Sequence, residues 1–427
     1  MHLVRILIKN AQICDPATNT DCKGDIFLKD GVIAAVGTDL NFETEVTIDA
    51  SDLVAAPGLV DMHVHLREPG QTEKEDILSG CKAAAAGGVT SVLAMPNTVP
   101  AADSAETVRY ILEKAKTASA HVYVAAAITK GLKSEELCDF EALHRAGAIA
   151  LSDDGRPVLN TAMMAQAMQI APKLGMRVVS HCEDLYLAKG GIMHDGEIAK
   201  MLGVRGIPTA AEDCGTARDI ALAAAYDVPV HICHVSTATS LALIRDAKAR
   251  GVKVTAETAP HYFMLTEQEL LKRDADYRMN PPLRTEADRL AVIEALKDGT
   301  LDAIATDHAP HTPQEKADFE TAPNGVIGME TSLATAITAL VQPGHCTLLQ
   351  LLAKMSVVPA KLLGIPAGTL QPGSSADLIL IDPAEEWIVD TEKLHGKSKN
   401  CVFKNKKLTG KVKFTVCGGR IVWNELA

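Results

Sequence analysis

Two histidines that lie two residues apart, His63 and His65, end the apolar part of the stretch GLVDMHVHLREPG at residues 58–70. The run Gly58–Val64 has the apolar, β-branched composition of a short buried strand. Side chains alternate across a strand, so residues two apart share a face. Both imidazoles therefore point the same way from a rigid element, as a metal site requires. The alternative is that both histidines fill an ordinary barrel interior.

An arginine follows this histidine pair closely. Arg67 comes where the strand becomes a loop, and Pro69-Gly70 then turns the chain. A divalent cation and a guanidinium would therefore lie close together. This pairing suits a substrate with a carboxylate at one end, because a guanidinium binds carboxylates in a forked geometry. The other end of such a substrate would contact the metal.

The elements that would position these groups alternate between strands and helices from about residue 55 to 365. Eight βα units in a segment of this length predict a (β/α)8 barrel. The chemistry of such barrels sits at the carboxyl ends of the strands. The strand candidates are Gly58–His65, Val89–Met95, Val122–Ala127, Ile149–Ser152, Arg177–His181, Val230–His234, Lys253–Thr258 and Ala303–Thr306.

The predicted strand ends carry four histidines and two or three aspartates. Imidazole and carboxylate together favour zinc or a similar ion. Six ligands exceed the three that one catalytic zinc takes from a protein, so we expect two ions that share a bridging carboxylate and a bridging hydroxide. Strand alternation does not decide between Asp153 and Asp154 as the bridge. The full set is His63, His65, Asp153, Asp154, His181, His234 and Asp307.

Other polar residues near these ends allow more than one interpretation. Glu183 either orients its histidine neighbour or is solvated, and His261 belongs either to the rim or to the core. Cys182 and Cys233 each adjoin a predicted ligand, so we expect buried thiols that face away from it. His231 lies three residues before His234, so we expect it on the other face as a core or supporting residue.

The two ends of the chain differ from the middle. Residues 1–54 and 366–427 both alternate short apolar stretches with turns, which indicates short strands. Two β-rich flanks predict one small β-sandwich domain formed from both chain ends, beside a catalytic barrel at 55–365. Two unrelated small domains are the alternative.

Composition excludes several classes of function. The net charge is −12 and no long basic tract occurs, which argues against a nucleic-acid partner. No apolar run reaches about 18 residues, so we expect no membrane span. Ten cysteines occur singly without a CxxC motif. Since the chain also lacks a signal-peptide pattern, they indicate reduced thiols and a cytoplasmic protein.

Taken together, these motifs resemble those of the amidohydrolase superfamily and, within it, the class I dihydroorotases. The resemblance covers essentially the whole chain. Its two most specific motifs are DMHVHLREPG at 61–70 and ATDHAPHTPQEK at 305–316. The others follow in the family's order: MPNT at 95–98, SDDG at 152–155, HCED at 181–184, HVST at 234–237, MNPPLR at 279–284 and NGVIGMET at 324–331.

The resemblance implies a pair of zinc ions and assigns their ligands. Many relatives bridge the two ions with a carboxylated lysine, but the fourth strand here offers only aspartates. The spacing of 27 residues from Asp154 to His181 matches the class I pattern, so the resemblance favours Asp154 as the bridge. The implied ligands are His63, His65 and Asp307 for one ion, His181 and His234 for the other, and Asp154 for both.

The resemblance also implies how the substrate binds and reacts. The reaction would be the reversible closure of N-carbamoyl-L-aspartate to L-dihydroorotate, a step of pyrimidine biosynthesis. In hydrolysis the metal-bridging hydroxide would attack the ring carbonyl, and Asp307 would carry its proton to the leaving nitrogen. The implied substrate residues are His65, with Arg67, Asn97 and His311 for the carboxylate, and Asn280, Asn324 and Gly325 for the ring amides.

Two other functions compete with this hypothesis. Hydantoinases, dihydropyrimidinases and allantoinases share the barrel and the histidine pair, but most of their substrates lack a ring carboxylate. Arg67 directly after HVHL therefore favours dihydroorotase. The second alternative is a non-catalytic subunit that only assembles with aspartate carbamoyltransferase, and the complete ligand set argues against it. A catalytic chain that needs this partner for full activity stays open. The resemblance further implies a homodimer.

Overall fold

The computed structural model describes residues 4–426. Residues 1–3 and 427, which belong to the predicted terminal domain, lie outside the described residues. The first part of the chain forms five strands, of which β1 pairs with β2 on one side and with β4 and β5 on the other. They are β1 (Ile6–Asp15), β2 (Thr20–Lys29), β3 (Val32–Gly37), β4 (Val46–Asp49) and β5 (Val54–Pro57).

Ten strands follow in the middle of the chain, and eight of them form the predicted barrel. They are β6 (Leu59–Val64), β7 (Val89–Ala94), β8 (His121–Ala126), β9 (Ala148–Leu151), β10 (Arg177–Ser180), β11 (Met193–His194), β12 (Gly206–Ile207), β13 (Val230–Ile232), β14 (Val254–Thr258) and β15 (Ala303–Ile304). The short strands β11 and β12 pair only with each other, and the other eight lie side by side in chain order with parallel pairing. All eight predicted strands are present, which confirms the (β/α)8 prediction.

The barrel closes between its first and last strands through a few specific contacts. The backbone N–H of His65 donates to the carbonyl oxygen of His308 over 2.8 Å. One carboxylate oxygen of Asp61 accepts from the backbone N–H of Thr306 over 3.1 Å. A side chain within β6 therefore fixes the start of the loop that carries Asp307.

Helices cover the outside of the barrel. Asp76, Thr285 and Thr347 begin three of them with capping boxes, in which the cap and the residue three positions later bond each other's backbone. Among residues 4–426, no helix has both the length and the apolar character needed to cross a membrane. The α-helices are α1 (Ile77–Ala86), α2 (Ala105–Ala115), α3 (Phe140–Ala146), α4 (Thr161–Ile170), α5 (Leu185–Ala188), α6 (Glu197–Leu202), α7 (Ala210–Tyr226), α8 (Ala238–Ala249), α9 (Pro260–Met264), α10 (Glu286–Asp298), α11 (Ser332–Ala336), α12 (Leu348–Met355) and α13 (Val357–Leu363).

Several tighter helical turns complete the connections. Short 3₁₀ helices are Lys130–Leu132, Ala171–Leu174, Glu267–Lys272, Ala275–Tyr277 and Thr391–Lys393, and one π-helical turn is Ile337–Val341. Inside the barrel, Val60, Met62 and Leu93 pack with Ala360 and Leu363 of α13. This apolar filling leaves the polar chemistry to the strand ends.

The last part of the chain returns to the first sheet. It forms β16 (Leu378–Ile388), β17 (Lys407–Cys417) and β18 (Arg420–Asn424). Because β16 pairs with β5, strands from both chain ends form one eight-stranded sheet. Ile6, Ile26, Leu378 and Phe414 pack together in its apolar core. The prediction of a β unit formed from both ends is thereby confirmed.

An ion pair joins this end sheet to the barrel. Nε2 of His121, the first residue of β8, lies 3.0 Å from Oδ1 of Asp377, which directly precedes β16. The same carboxylate oxygen accepts the backbone N–H of Gly418 over 2.7 Å. The hydrogen bond to Asp377 raises the pKa of His121 to about 10.

This ion pair predicts how stability depends on pH. A histidine whose pKa is raised by folding stabilises the protein fully below its unfolded pKa and loses that contribution as the pH rises through the folded pKa. We expect H121Q to lower the midpoint of urea unfolding at pH 6, with a deficit relative to wild type that shrinks between pH 7 and 10. The exposed His144 of α3 offers the control H144Q. A deficit that stays constant over this range would contradict the pair's contribution.

Candidate active site

Six predicted ligands converge where the barrel strands end. His63 belongs to β6, His65 follows it, and the others come directly after or within three residues of β9, β10, β13 and β15. At the centre lies the carboxylate of Asp154. Its oxygens are 3.2 Å from Nε2 of His63, 3.5 Å from Nε2 of His65, 3.6 Å from Nδ1 of His181 and 3.6 Å from Nε2 of His234.

A second carboxylate, from Asp307, lies on the β6 side of this cluster. Its Oδ1 is 3.1 Å from Nε2 of His65 and 3.7 Å from Nε2 of His63. The loop after β15 therefore brings Asp307 next to the histidine pair that the sequence motif contains.

The cluster contains two groups of metal-ligating atoms. One comprises His63, His65 and Asp154, and the other comprises Asp154, His181 and His234. Within residues 4–426, Nε2 of His63, Oδ1 of Asp154 and Nδ1 of His234 are buried without a hydrogen-bond partner. Buried polar atoms of this kind are costly unless something satisfies them. The donor set and the two facing unpaired atoms of His63 and Asp154 fit a metal pair that shares Asp154.

The neighbouring aspartate has a different position. Asp153 accepts hydrogen bonds from the backbone N–H groups of Ile128 and Thr129 over 2.7 and 3.0 Å, and from the Thr129 hydroxyl. It therefore holds the loop after β8. Of the two aspartates that strand alternation left open, Asp154 is the one that lies among the histidines.

Oxygen atoms fix the ring orientation of three of the four histidines. Oδ1 of Asn97 lies 2.7 Å from Nδ1 of His65, and Oε2 of Glu183 lies 3.3 Å from Nε2 of His181. Oε1 of Glu257 lies 3.1 Å from Nδ1 of His63. Each oxygen accepts a hydrogen bond from the outer nitrogen, so the inner nitrogen is the one that faces the cluster.

Sequence reasoning missed Glu257. Its other oxygen lies 3.3 Å from Nε2 of His231, so it links that buried histidine to His63. Burial raises the pKa of Glu257, but the neighbouring imidazoles of His231 and His63 outweigh it and lower this pKa to about 2. An acidic residue inside the buried strand β14 was the available signal, since an unpaired buried carboxylate is costly.

The expected direction of Cys233 was wrong. Its sulfur lies within 4.8 Å of ligand atoms of His63 and Glu257, although it adjoins His234. The strand β13 ends at Ile232, and His234 has a φ of 35°, so strand alternation no longer applies there. Cys182 does face away from the cluster, toward Asp219 of α7. Both thiols are buried, as expected.

Burial and mutual attraction compete in setting the protonation of the cluster. Burial raises the pKa of Asp154, but the surrounding histidines, His63 first, hold it well below its usual range. Burial lowers the pKa of His63, and the Asp154 carboxylate more than offsets this effect and raises it well above the ordinary value. The residues alone thus favour ionised carboxylates and protonated imidazole at neutral pH.

Three site residues adopt left-handed backbone conformations. Arg67 has a φ of 61°, His234 of 35° and Asp307 of 50°. Such conformations cost about 1–3 kcal/mol each and persist only where the surrounding structure enforces them. They turn each of these side chains at the point where its strand ends.

A cavity of about 220 Å³ opens above the cluster. It is lined by every predicted metal and substrate residue except His63, which lies beneath it. His261, whose place was left open, does not line it and is buried beside Tyr262. The predicted lining residues are His65, Arg67, Asn97, Asp154, His181, His234, Asn280, Asp307, His311, Asn324 and Gly325.

Arg67 provides the positive charge of this cavity. Its Nε donates to the carbonyl oxygen of Pro310 over 3.1 Å, and its Nη2 lies 3.3 Å from Nε2 of His311. Burial lowers the pKa of Arg67 to about 10, so it stays charged at neutral pH. Burial and the Arg67 charge lower the pKa of His311 to about 3, so His311 is neutral.

The loops on this side of the cavity are held by two buried residues that sequence reasoning missed. Asn400 donates to the carbonyl oxygens of Ala309 and Gly325 over 3.2 and 3.0 Å and accepts the backbone N–H of His311 over 3.1 Å. Lys316 donates to the carbonyl oxygens of three residues in the same region: Ala275, Arg278 and Pro323. No residue spacing indicated either role.

The contacts of Asn400 predict a local loss of order when they are removed. N400A leaves three buried backbone groups without partners, and each such loss costs about 1–3 kcal/mol. We expect faster amide hydrogen exchange in residues 309–327, with unchanged exchange in β7 and β8, measured by mass spectrometry. N41A in an exposed loop is the control. Unchanged exchange at 309–327 would show that Asn400 does not hold these loops.

Comparison with known proteins places this chain in a family. A family model described as dihydro-orotase-like matches residues 53–240. Dihydroorotase of Geobacter metallireducens is 50% identical over 99% of this chain and 100% of its own length. Dihydroorotase of Acetivibrio thermocellus is 49% identical over 98% of this chain and 99% of its own.

Solved structures share the fold at lower identity. L-hydantoinase (dihydropyrimidinase) from Arthrobacter aurescens has a TM-score of 0.88 at 25% identity and covers 99% of this chain and 96% of its own. Dihydropyrimidinase from Brevibacillus agri has a TM-score of 0.87 at 26% identity and covers 99% and 95%. With the near full-length identity to the curated relatives, these findings show that the chain belongs to the dihydroorotase family of amidohydrolases.

Proposed function

We propose that this protein is a dihydroorotase that interconverts N-carbamoyl-L-aspartate and L-dihydroorotate. The observation that carries the proposal is the buried guanidinium of Arg67 in the same small cavity as the Asp154-centred histidines. One end of the cavity suits a carboxylate, and the other suits a metal-polarised carbonyl. Curated relatives of nearly the same length carry the name dihydroorotase.

We propose two zinc ions for the metal groups. His63, His65 and Asp307 would hold one, His181 and His234 the other, and Asp154 both. When bound, such a pair lowers the pKa of a water and polarises the substrate carbonyl. The support is the N/O donor set and the unpaired inner atoms of His63 and Asp154. Glu257, Asn97 and Glu183 accept hydrogen bonds from the outer nitrogens of three histidines, so the inner nitrogens would bind the metals once they lose their protons.

Asp307 is the proposed general base and acid. It lines the cavity and reaches Nε2 of His65 over 3.1 Å, so its carboxylate is at the place where the proton must move. Burial raises its pKa, but the hydrogen bond from His65 and the charge of His63 lower it below the usual value. It is therefore ionised at neutral pH, ready to accept a proton and later deliver it to the leaving ring nitrogen.

The remaining wall of the cavity would position the substrate. Arg67 has Nη1 free of hydrogen bonds within the part of the chain that the structure describes, so it can bind the α-carboxylate. Nε2 of His311 lies 2.9 Å from the carbonyl oxygen of Asn324. This contact links the wall of the cavity that would bind the carboxylate to the wall that would bind the ring. The amide of Asn97 can donate to the carboxylate, because its oxygen faces His65.

The ring amides would meet Asn280 and the backbone of Asn324 and Gly325. Asn280 donates to Glu183 over 3.1 Å, which leaves its buried carbonyl oxygen unpaired and free to accept a ring N–H. A side chain at position 325 would place its Cβ 2.7 Å from the carbonyl oxygen of Ala309, so glycine permits the close backbone approach there.

We propose a cytoplasmic location and a homodimeric assembly for this enzyme. All ten cysteines are free thiols in the structure, eight of them at least partly buried, which supports the cytoplasm. Homodimer formation and association with aspartate carbamoyltransferase rest on the family resemblance alone. A rate that rises when the transcarbamoylase is added would reveal a partner-dependent enzyme.

A substrate comparison tests the proposed function. We expect zinc-loaded protein to hydrolyse L-dihydroorotate and to leave dihydrouracil and allantoin nearly untouched, because only the first bears a carboxylate for Arg67. Removal of the metal by a chelator should abolish this activity, and added zinc should restore it. Activity on the uncharged rings instead would favour a hydantoinase-type enzyme and contradict the role of Arg67.

The role of Asp307 predicts a separation of metal binding from turnover. D307N keeps an oxygen ligand but cannot accept a proton, so we expect kcat to fall about 10²–10⁴-fold, the usual contribution of general acid–base catalysis. Metal content, measured by inductively coupled plasma mass spectrometry, should stay near that of wild type. D52N, at an exposed position, is the matched control. Near-normal turnover by D307N would rule out the proton transfer.

A further inference from the structure

A second cavity, of about 410 Å³, adjoins the substrate cavity. The two share a wall made of site residues, and we call the smaller the inner chamber and the larger the outer chamber. The shared residues are Arg67, Asn97, Asp154, Gly155 and His311. The outer chamber reaches the surface, where Val99 and Arg156 are exposed.

The outer chamber is lined by cations. Besides Arg67 it contains Lys74 and Arg156, with Gln71 as a further polar group. Nζ of Lys74 lies 2.8 Å from Oε1 of Glu315, which partly neutralises it. The guanidinium of Arg156 has no carboxylate within 4.0 Å among residues 4–426. The one acid in the wall, Asp154, is already surrounded by four histidines.

The two forms of the proposed substrate differ in charge. N-carbamoyl-L-aspartate carries two carboxylates, whereas L-dihydroorotate carries one, because ring closure converts the side-chain carboxylate into an amide. Inside, Arg67 is the single cation for the α-carboxylate. A ligand that enters through the outer chamber brings its second carboxylate past Arg156 and Lys74 before it reaches the histidine cluster. Cations in a cleft with low-dielectric walls raise the local concentration of anions and their association rate by about 10–10³-fold.

We propose that the outer chamber is an anion-binding antechamber in which Arg156, with Lys74, captures the dicarboxylate form of the substrate before it reaches the metal groups. This inference rests on the proposed function and adds a specificity element to the same site. The net charge of the protein is −12, which would repel a dianion. The proposal accounts for its attraction, because Arg156 and Lys74 place positive charge at the mouth of the outer chamber.

The test compares R156Q with R250Q. Both remove one positive charge, but Arg250 lies on the outside at the end of α8, paired with Asp246. At low ionic strength we expect R156Q to lower kcat/KM for N-carbamoyl-L-aspartate about 5–10-fold through a higher KM, with a difference that disappears as salt screens the charge. R250Q should match wild type. The equilibrium constant fixes the ratio of kcat/KM in the two directions, so both must fall by the same factor.

A second measurement tests how binding depends on the number of negative charges on the ligand. Succinate and propionate are competing anions of similar size, with two charges and one charge, and neither can cyclise. We expect R156Q to weaken inhibition by succinate several-fold more than inhibition by propionate. If R156Q equals R250Q in salt dependence, or if both inhibitors weaken equally, the antechamber is wrong. Wild-type turnover of dihydroorotate is measured separately, so this failure is distinct from failure of the proposed function.

Discussion

The structure depends on one buried carboxylate that four imidazoles surround. Asp154 lies within 3.6 Å of the ring nitrogens of all four histidines, which come from three different barrel strands. Charges at this depth are expensive unless each is paired in good geometry. The barrel makes the pairing possible because parallel strands deliver their ends to one rim. Glu257, Asn97 and Glu183 then hold the rings of three of these histidines.

The fold was predictable because its signals are local. Strands buried on both faces are continuous apolar runs, so all eight barrel strands could be located from composition alone. The short pair β11 and β12 escaped prediction because two residues carry no period. The joining of both chain ends into one sheet was inferred only from their similar patterns, and the pairing of β5 with β16 bears it out.

The site residues that lie at the carboxyl ends of barrel strands were predictable from the sequence. His63, His65 and Asp307 follow from that rule. Alternation failed at Cys233 because the left-handed backbone of His234 ends the strand pattern. Glu257 could have been found as a charge inside a buried strand. Asn400 could not, since its contacts with Ala309 and Gly325 span about 75 to 90 residues and involve backbone atoms that any sequence would supply.

The cavity divides its charge between two ends. Ionised carboxylates and histidines occupy the strand ends, and Arg67 with a neutral His311 occupies the loops. A ligand that is anionic at one end and carries a polarisable carbonyl at the other satisfies both. An uncharged ring would leave the buried guanidinium of Arg67 without a counter-charge.

The hydrogen bonds of Asn400 also bear on how the protein is made. A ribosome releases the barrel strands and all six candidate ligands before Asn400 emerges, because all of them precede Asn400 in the chain. Domains fold from the amino end during synthesis, so the histidine cluster can assemble on the nascent chain. The loops at 309–311 and 324–325 gain the hydrogen bonds of Asn400 only after that residue has been made, between β16 and β17 of the end sheet. A chain that stops before Asn400 would therefore lack the hydrogen bonds that this residue gives to the two loops.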